Sequence, residues 1–449
     1  MNTDYLLQDE YARHLYQNYA ATLPIIDYHN HLSATEIRDD RVFDNITQLW
    51  ITSDPYKHRA MRILGIPEKY ITGDASDYEK FEAWYGCLPR LVGNVLFDWS
   101  IMEWEQVFHL SLFPLQENVR QVWDTVNEKL KSMSTKSILN CFPITYCAPC
   151  ASLLDDVTVY DPARGLCPSL RGDDLVAPTV QTVQKLEQLT GLTIQTLTDL
   201  KSALDARMQA FVKAGCKFAD HALDDGFSFV PDDGGNEARF AAILQGKSLS
   251  GTDHRQLFCY LFTYLAGTYA RLGMTMQLHI GARRSTSSRL RDIAGPAGGY
   301  AAMGNTICLS SLTEMLDYLE KQPQGLPKIL LFPLNPTDNA MISTLSGSFS
   351  KDGVEAIVSQ GPAWWWCDHY QGIRNMLDHL TAYGVLSTFT GMTTDSRSLL
   401  SFVRHDYFRR ILCSWISERV QKGIFPNDET ILADLIRKIC YENASKLCN

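Results

Sequence analysis

The sequence predicts an α/β protein, and within that class a (β/α)8 barrel with a helical insertion after its first strand. Two observations support this prediction. About eight short apolar runs are spread along the chain, and most of them alternate with helix patterns, as in a barrel of parallel strands. Nearly every run also ends in, or is soon followed by, a residue able to do chemistry, as the carboxyl-terminal rim of a barrel requires. A doubly wound sheet with a helical domain is the competing architecture.

The first predicted strand covers residues 24–31, where an apolar start with β-branched residues leads into polar ones. Residues 9–23 before it repeat apolar side chains at helical spacing. Later runs are separated by helix patterns such as residues 179–191 and 254–273. We expect the further strands at residues 143–147, 165–171, 215–221, 274–281, 328–335, 354–359 and 385–392.

Between residues 33 and 139 the pattern is almost entirely helical. Ser76 is predicted to cap one of these helices, with Glu79 three residues later as its capping-box partner. We expect residues 33–139 to form a helical insertion over the mouth of the barrel, within a single domain of residues 1–449. Residues 223–238 are rich in Asp and Gly and show no period, so they predict a loop.

The charge balance argues against a polyanionic partner. The chain has 41 Lys and Arg against 51 Asp and Glu, and the resulting net charge of −10 has the wrong sign for holding a nucleic-acid backbone. We therefore expect no nucleic-acid partner. A few arginines inside a pocket can still bind a small anionic substrate, because charges act strongly at short range.

The sequence also predicts a cytoplasmic location. The N-terminus has acidic residues where a signal peptide would have a basic segment, and the 12 cysteines are scattered, as in a reducing compartment. No apolar run approaches the roughly 20 residues of a membrane-spanning helix, so we expect no membrane partner. These features are compatible with a monomer or a homo-oligomer.

The sharpest local signal is His29-Asn30-His31 at the end of the first predicted strand. Residues i and i+2 of a strand point to the same face, so both imidazoles can bind one metal ion. Such a site needs an oxygen ligand as well, and Asp395 follows the last predicted strand, where the barrel would close beside strand one. The alternatives are two unrelated histidines and an Asp395 that caps a helix beginning near Ser398.

Other polar and aromatic residues follow the remaining strands. His279 ends the fifth strand, and Asp220 with His221 ends the fourth. Arg171 follows the third strand, and Trp364 opens a run of three tryptophans that could form the apolar wall of a sugar pocket. A structural role is the alternative for each, since a lone histidine after a strand is often hydrogen-bonded and tryptophan is usually packed in the core.

Two further features concern charge and sulfur. Arg397, two residues after Asp395, could bind a carboxylate through both arms of its guanidinium, or it could lie on the surface in solvent. Cys147 and Cys150 have the spacing of a redox or zinc pair. No second pair accompanies them, and no helix start typical of a thioredoxin-like site follows, so we assign them no function.

Taken together, these residues resemble the uronate isomerases, also called glucuronate isomerases, a divergent branch of the amidohydrolase superfamily. The likeness covers nearly the whole chain and includes PIIDYHNHLS, LWITSDPYKHRAMRILG, ITGDASDYEKFEAW, GNVLFDWS, GCKFADHALD, QLHIGARR, LNPTDN, GPAWWW and TDSRSLLSFVRHDYFRRILC. The resemblance implies a (β/α)8 barrel and a single divalent metal, usually zinc. It also implies a small uronate substrate, with interconversion of D-glucuronate and D-fructuronate and of D-galacturonate and D-tagaturonate.

The resemblance assigns residues to this site. The metal ligands of the family fall on His29, His31 and Asp395. The other residues that match the family pocket are Tyr56, Arg171, Asp220, His279, Trp364 and Arg397.

Four departures from the family pattern bear on turnover and sugar preference. Pro55 replaces a histidine before Tyr56, with His58 nearby, and Asp98 replaces another histidine. An Asp-Asp-Pro motif after strand two is replaced by Cys147-Ala148-Pro149. An asparagine run after strand five is replaced by residues 285–287, Ser-Thr-Ser.

Aldose–ketose isomerisation moves a proton between C2 and C1 through an enediol, so it needs a base, a shuttle for the hydroxyl proton and stabilisation of the oxyanion. We expect the metal and Arg397 to hold the carboxylate end of the substrate, and Arg171 and the Trp364 region to position its chain. Tyr56 is the first candidate for proton transfer, with His279 and Asp395 as alternatives. A metal-dependent hydrolase of the same superfamily and a non-catalytic uronate-binding protein remain the competing functions.

Overall fold

Seven parallel strands form one curled sheet in the computed structural model, which describes residues 4–448. The strand order is β1-β2-β3-β4-β5-β8-β9, and a short antiparallel pair, β6 and β7, stands apart from the sheet. The strands are β1 Ile25–Asn30, β2 Ile144–Ser152, β3 Ser169–Arg171, β4 Phe218–Leu223, β5 Thr275–Ile280, β6 Ala282–Arg283, β7 Ala302–Met303, β8 Lys328–Pro333 and β9 Val358–Gln360.

Helices connect the parallel strands, which is the usual way to join parallel neighbours. Seven of them, α2 to α8, lie between β1 and β2, and Ser76 and Glu79 form the predicted capping box at the start of α5. The α-helices of the described chain are α1 Glu10–Leu15, α2 Ala34–Arg38, α3 Ile46–Trp50, α4 Pro55–Ile63, α5 Asp77–Cys87, α6 Val95–Phe108, α7 Val119–Leu130, α8 Thr135–Leu139, α9 Asp173–Val176, α10 Val180–Thr190, α11 Leu197–Lys213, α12 Asn236–Leu244, α13 Gly251–Leu272, α14 Ser288–Ala294, α15 Leu309–Glu320, α16 Asn339–Ser348, α17 Tyr370–Tyr383, α18 Val403–Gln421, α19 Glu429–Arg437 and α20 Asn443–Cys448.

The strand register brings the carboxyl ends of the parallel strands to one edge of the sheet. Arg171 at the end of β3 pairs with Asp220 in β4, and His279 in β5 pairs with Ala222 in β4. Because the strands are parallel, the polar residues that follow their apolar starts are collected on this edge. The candidate site lies there.

The predicted eighth strand is not formed. Residues 385–392 contain only one 3₁₀ turn, Leu386–Thr388, and the structure has seven strands in its main sheet where the sequence predicts eight. The chain that follows still reaches β1, because Asp395 N–H donates to the His29 carbonyl (3.0 Å) and His31 N–H donates to the Ser396 carbonyl (2.8 Å). The regular ladder is interrupted between these bonds, since the Thr393 hydroxyl accepts from His29 N–H in place of a backbone carbonyl (2.9 Å).

The apolar core joins the helices between β1 and β2 to the rest of the chain. One cluster of buried side chains includes Trp50 of α3, Phe81 of α5, Trp104 of α6 and Trp415 of α18. A second cluster packs β3, β4, β5, β8 and β9 against helices α9 to α13, α15 and α16. No helix among residues 4–448 is long and apolar enough to cross a membrane.

Candidate functional site

The structure brings His29, His31 and Asp395 together at the end of β1. The Oδ1 atom of Asp395 lies 3.2 Å from His29 Nε2 and 3.1 Å from His31 Nε2. The second carboxylate oxygen of Asp395 is buried and has no hydrogen-bond partner. Two imidazoles and a carboxylate with a free oxygen form a donor set that suits a divalent cation such as zinc, so these residues fit the implied metal.

The charge state of Asp395 also fits a metal ligand. Burial alone would raise the pKa of this carboxyl, but hydrogen bonds from His29 and His31 hold the pKa well below its ordinary value. Asp395 is therefore ionised, as a ligand must be. The alternative role of Asp395 as a helix cap is wrong, because Ser398 caps the following 3₁₀ turn by accepting from Leu400 N–H.

A buried aspartate of β1 holds the segment that carries Asp395. One oxygen of Asp27 accepts from Thr394 N–H (2.6 Å) and from the Thr393 hydroxyl (2.9 Å), and the other accepts from the Thr394 hydroxyl (2.8 Å). His405 of α18 lies 3.2 Å from the same carboxylate. These bonds fix the chain just before Asp395, whose φ of +46° is uncommon for a residue with a side chain.

A second group of polar residues adjoins the first on β3, β4 and β5. Asp220 lies 3.9 Å from His29 Nδ1, 3.9 Å from His279 Nδ1 and 3.6 Å from an Arg171 nitrogen. Burial, followed by the charge of His29, lowers the pKa of His279 well below its ordinary value, so this imidazole is neutral. The His279 ring also packs edge-on against Trp364, with ring centres 4.7 Å apart, so this tryptophan is buried against the site.

Cys150, to which the sequence analysis gives no role, lies among these residues. Its sulfur is 3.4 Å from His29 Nδ1 and 3.5 Å from Asp220 Oδ1. Cys147 lies elsewhere, beside the Asn30 amide (3.4 Å), and both cysteines are free thiols. The sequence holds a signal for Cys150, because parallel neighbours β1 and β2 end at the same edge of the sheet and Cys150 lies near the end of β2.

Tyr56 occupies the second position of α4, next to the aromatic residues that follow β9. Its ring lies 5.4 Å from Trp366, and the guanidinium carbon of Arg404 lies 5.1 Å from the centre of the Tyr56 ring. The Tyr56 hydroxyl is buried and has no hydrogen-bond partner. Burial, and then the charge of Asp395, raises the pKa of Tyr56 well above its ordinary value, and Arg404 opposes this shift only in part.

Sequence reasoning missed Arg404 and Asp368. Arg404 is buried at the start of α18, donates to the Thr394 carbonyl (2.9 Å) and stacks on Trp99, 3.7 Å from the ring centre. Its Nη1 lies 3.8 Å from Asp368, whose burial raises its pKa to about 7. Arg404 lies within a motif quoted for the family resemblance, but its burial depends on helices distant in sequence, so no local pattern reveals it.

Arg397 lies on the other side of the metal-ligand group, in a cavity of about 560 Å³ that His31 also lines. Arg41 and Lys80 also line this cavity, but the carboxylates of Glu36, Asp44 and Asp77 balance the positive charges, and Glu36 binds Arg41. No acidic residue among residues 4–448 forms an ion pair with Arg397. Arg397 is exposed to solvent, as the surface alternative predicts, and its guanidinium can still reach an external anion close to His31.

The remaining departures from the family pattern lie around the site. Asp98 lines a second cavity of about 500 Å³ together with Tyr56. The Tyr407 hydroxyl donates a hydrogen bond to the Asp98 carboxylate at 3.5 Å. His58 is buried within α4, and burial lowers its pKa. Thr286 donates to the Tyr300 carbonyl and thereby ties the loop after β6 to a neighbouring loop.

Comparisons with known proteins identify the family. A family model described as glucuronate isomerase matches residues 1–448. The chain belongs to the glucuronate isomerase family. It is 38% identical over 458 residues to a uronate isomerase of Geobacillus thermodenitrificans, covering 98% of this chain and 97% of the relative. A uronate isomerase of Salmonella arizonae is 37% identical over 461 residues, covering 99% of this chain and 98% of the relative.

Solved structures of the same family have the same fold. The crystal structure of uronate isomerase from Thermotoga maritima superposes with a TM-score of 0.92 at 27% identity, covering all of this chain and 99% of that one. A glucuronate isomerase structure from Caulobacter crescentus gives a TM-score of 0.89 at 21% identity, covering all of this chain and 96% of that one. The predicted family is confirmed, and the chain is an isomerase.

Proposed function

We propose that this isomerase interconverts D-glucuronate with D-fructuronate and D-galacturonate with D-tagaturonate, with assistance from one zinc ion. The observation that carries the proposal is the unpaired Arg397 in the cavity that His31 lines. A uronate differs from a neutral aldose by its carboxylate, and a guanidinium fork binds that group through two hydrogen bonds. Membership of the glucuronate isomerase family supports the same substrate class.

His29, His31 and Asp395 would hold the metal. A bound zinc ion supplies Lewis acidity to the oxygen atoms of the substrate. Arg397 binds the C6 carboxylate, which orients the distant C1–C2 end of the open-chain sugar. Arg171, Asp220 and Trp364 line the opposite side of the site and position the sugar chain.

The reaction needs balanced proton movements. A base removes the C2 proton to give an enediol, the same proton or one from solvent is added at C1, and the hydroxyl proton moves from O2 to O1. His279 has a buried Nε2 atom without a hydrogen-bond partner, so it offers a free ring nitrogen to the substrate, although its lowered pKa makes it a weak proton acceptor. Tyr56 and Asp395 are the other candidates, and Tyr56 can donate its hydroxyl proton to the substrate.

We also propose that residues 393–396 complete the sheet as the eighth element of a barrel. Their backbone forms hydrogen bonds with the backbone of His29 in β1 and of His31, which directly follows β1. In this arrangement, residues 33–139 cover the mouth of the barrel within one domain, since α4 carries Tyr56 toward the metal ligands. A cytoplasmic location and a homo-oligomeric state stay predictions.

The substitution Arg397→Lys tests the carboxylate recognition. A charged hydrogen bond to a desolvated carboxylate contributes roughly 1.5–3 kcal/mol, so kcat/KM for glucuronate should fall at least about tenfold. Metal content should not change, because Asp395 is untouched. The proposal is wrong if Arg397→Lys isomerises glucuronate as well as the parent, or if the parent converts neutral aldoses equally fast. Arg283→Lys, at an exposed arginine paired with Asp225, is the matched control.

A further inference from the structure

The end of β2 places a thiol among the metal ligands. The Cys150 sulfur lies 3.4 Å and 3.8 Å from the two ring nitrogens of His29. His29, His31 and Cys150 form a group whose ligand atoms all lie within 4.8 Å of one another. Asp395 Oδ1 lies outside this group of three but within 3.2 Å of His29 Nε2 and 3.1 Å of His31 Nε2.

The spacing of these atoms suits a single ion. Tetrahedral coordination with zinc–ligand bonds of about 2.0–2.3 Å separates neighbouring ligand atoms by roughly 3.3–3.6 Å. The observed separations are 3.1 and 3.2 Å between nitrogen and oxygen, and 3.8 Å between His29 Nε2 and the sulfur. These three separations lie within about 0.2 Å of the range that one four-coordinate ion requires.

The surroundings of Cys150 distinguish it from the other cysteine of β2. Cys150 faces His29 and Asp220, whereas Cys147 faces the Asn30 amide. The Cys150 thiol has one proton to donate, and in the structure Asp220 Oδ1 accepts it at 3.5 Å. Loss of this proton to solvent on metal binding would free the sulfur to ligate, with His29 close on one side.

We propose that Cys150 is a thiolate ligand of the metal ion held by His29, His31 and Asp395. This inference rests on the metal site of the proposed function. A thiolate in the donor set selects soft or borderline ions such as zinc and cadmium over hard ions such as magnesium and manganese. The metal selectivity of this chain would then depend on a residue outside the predicted ligand set.

Cobalt substitution tests the proposal without relying on activity. The purified protein is stripped with a chelator, loaded with one equivalent of Co²⁺, and its near-ultraviolet spectrum is recorded. A cobalt–thiolate bond gives an intense charge-transfer band that nitrogen and oxygen ligands do not produce. We expect this band in the parent and in Cys147→Ser, and its loss in Cys150→Ser.

Affinity and selectivity give a second readout. Cys150→Ser should still bind Co²⁺ and Zn²⁺, at least about tenfold more weakly, and Cys150→Asp should shift the preference toward Mn²⁺ because it replaces sulfur with oxygen. Circular dichroism and thermal melting check that each variant is folded, and a misfolded Cys150→Ser leaves the parent spectrum as the deciding measurement.

Two results would overturn the inference, and they are distinguishable. If the parent binds one Co²⁺ ion per chain without the charge-transfer band, Cys150 is not a ligand, and the proposed metal site still stands. If the parent binds no divalent metal at all, the metal part of the proposed function fails as well. A band that survives in Cys150→Ser would also contradict the assignment.

Discussion

The two sides of the candidate site are held in place by different kinds of interaction. On the strand side, hydrogen bonds to Asp27 and to the β1 backbone fix the segment before Asp395. On the helix side, a buried ion cluster lies beside Tyr56: Lys57 is 2.6 Å from Asp54 and 3.8 Å from Glu103. The strand side thus depends on backbone register, whereas the helix side depends on charges that are isolated from water.

The difference has an energetic consequence. Each hydrogen bond on the strand side contributes little net free energy of folding. When one partner is removed, however, the other remains as a buried polar group without a hydrogen bond, which is costly. The buried charges on the helix side are costly to desolvate and stable only while they are paired. Damage to the strand side should therefore affect metal binding most, and damage to the helix side should affect the free energy of unfolding most.

The largest expected effect is on the strand side. His31→Ala removes a metal ligand, so metal content should fall from one ion per chain to a small fraction, and kcat/KM for glucuronate should fall at least about a thousandfold. Elemental analysis and a ketose assay measure the two effects. His109→Ala, at a histidine outside the site after α6, is the control. Equal metal content in His31→Ala and the parent would exclude His31 as a ligand.

On the helix side, Lys57→Met should destabilise the protein by about 3–4 kcal/mol, because it leaves Asp54 and Glu103 as buried charges without a cation. Urea unfolding measures this change. The control is Lys131→Met, whose lysine is 72% exposed and pairs with Glu128 on the surface, with an expected change below about 0.5 kcal/mol. Similar losses for both variants would show that burial does not govern this ion cluster.

A smaller effect on stability is expected when the hydrogen bonding between β1 and residues 393–396 is weakened. Thr393→Val keeps the side-chain shape but removes the acceptor for His29 N–H, which should cost about 1–3 kcal/mol of unfolding free energy. The affinity for zinc should also fall about tenfold, because Asp395 follows two residues later. Thr125→Val, at an exposed position of α7, serves as the control for both measurements. Unchanged zinc affinity would mean that Asp395 is positioned independently of this bond.

An effect no larger than that of Thr393→Val is expected in the pH dependence of stability, at the boundary between the two sides. Burial raises the pKa of Asp368 from 3.8 to about 7, so the folded state holds a proton that the unfolded state releases above about pH 4. Stability therefore falls as pH rises from about 4 to 7 and then levels off. In Asp368→Asn this decline should be smaller, by on the order of 1–3 kcal/mol across the range. If the free energy of unfolding changes with pH in the same way in the parent and in Asp368→Asn, the raised pKa of Asp368 is contradicted.

The comparison between the two sides also explains what the sequence could predict. Residues at strand ends, such as His29, His31 and His279, can be placed from short stretches of sequence. Side chains alternate along a strand, and the carboxyl ends of parallel strands share one edge of the sheet. Arg397 is a candidate from its position after Asp395, whereas Tyr56 comes only from the family resemblance. In the fold, seven predicted strands and the capping box at Ser76 are confirmed.

The features that were missed depend on contacts between distant parts of the chain. Residues 385–392 carry a strand-like pattern, yet the threonine side chains at 393 and 394 bind Asp27 and interrupt the ladder. Arg404 and Asp368 are buried by packing between α18 and the residues after β9, which no single window of sequence contains. Cys150 reaches His29 because two strands separated by about a quarter of the chain are neighbours.

The most direct test of the account is to follow D-glucuronate by proton NMR in D₂O with the zinc-loaded protein. The account predicts conversion to the ketose D-fructuronate, and strongly reduced conversion by Arg397→Lys and His31→Ala under the same conditions. Conversion by the parent that both substitutions leave unchanged, or no ketose from a folded, zinc-loaded parent, would contradict the proposed site.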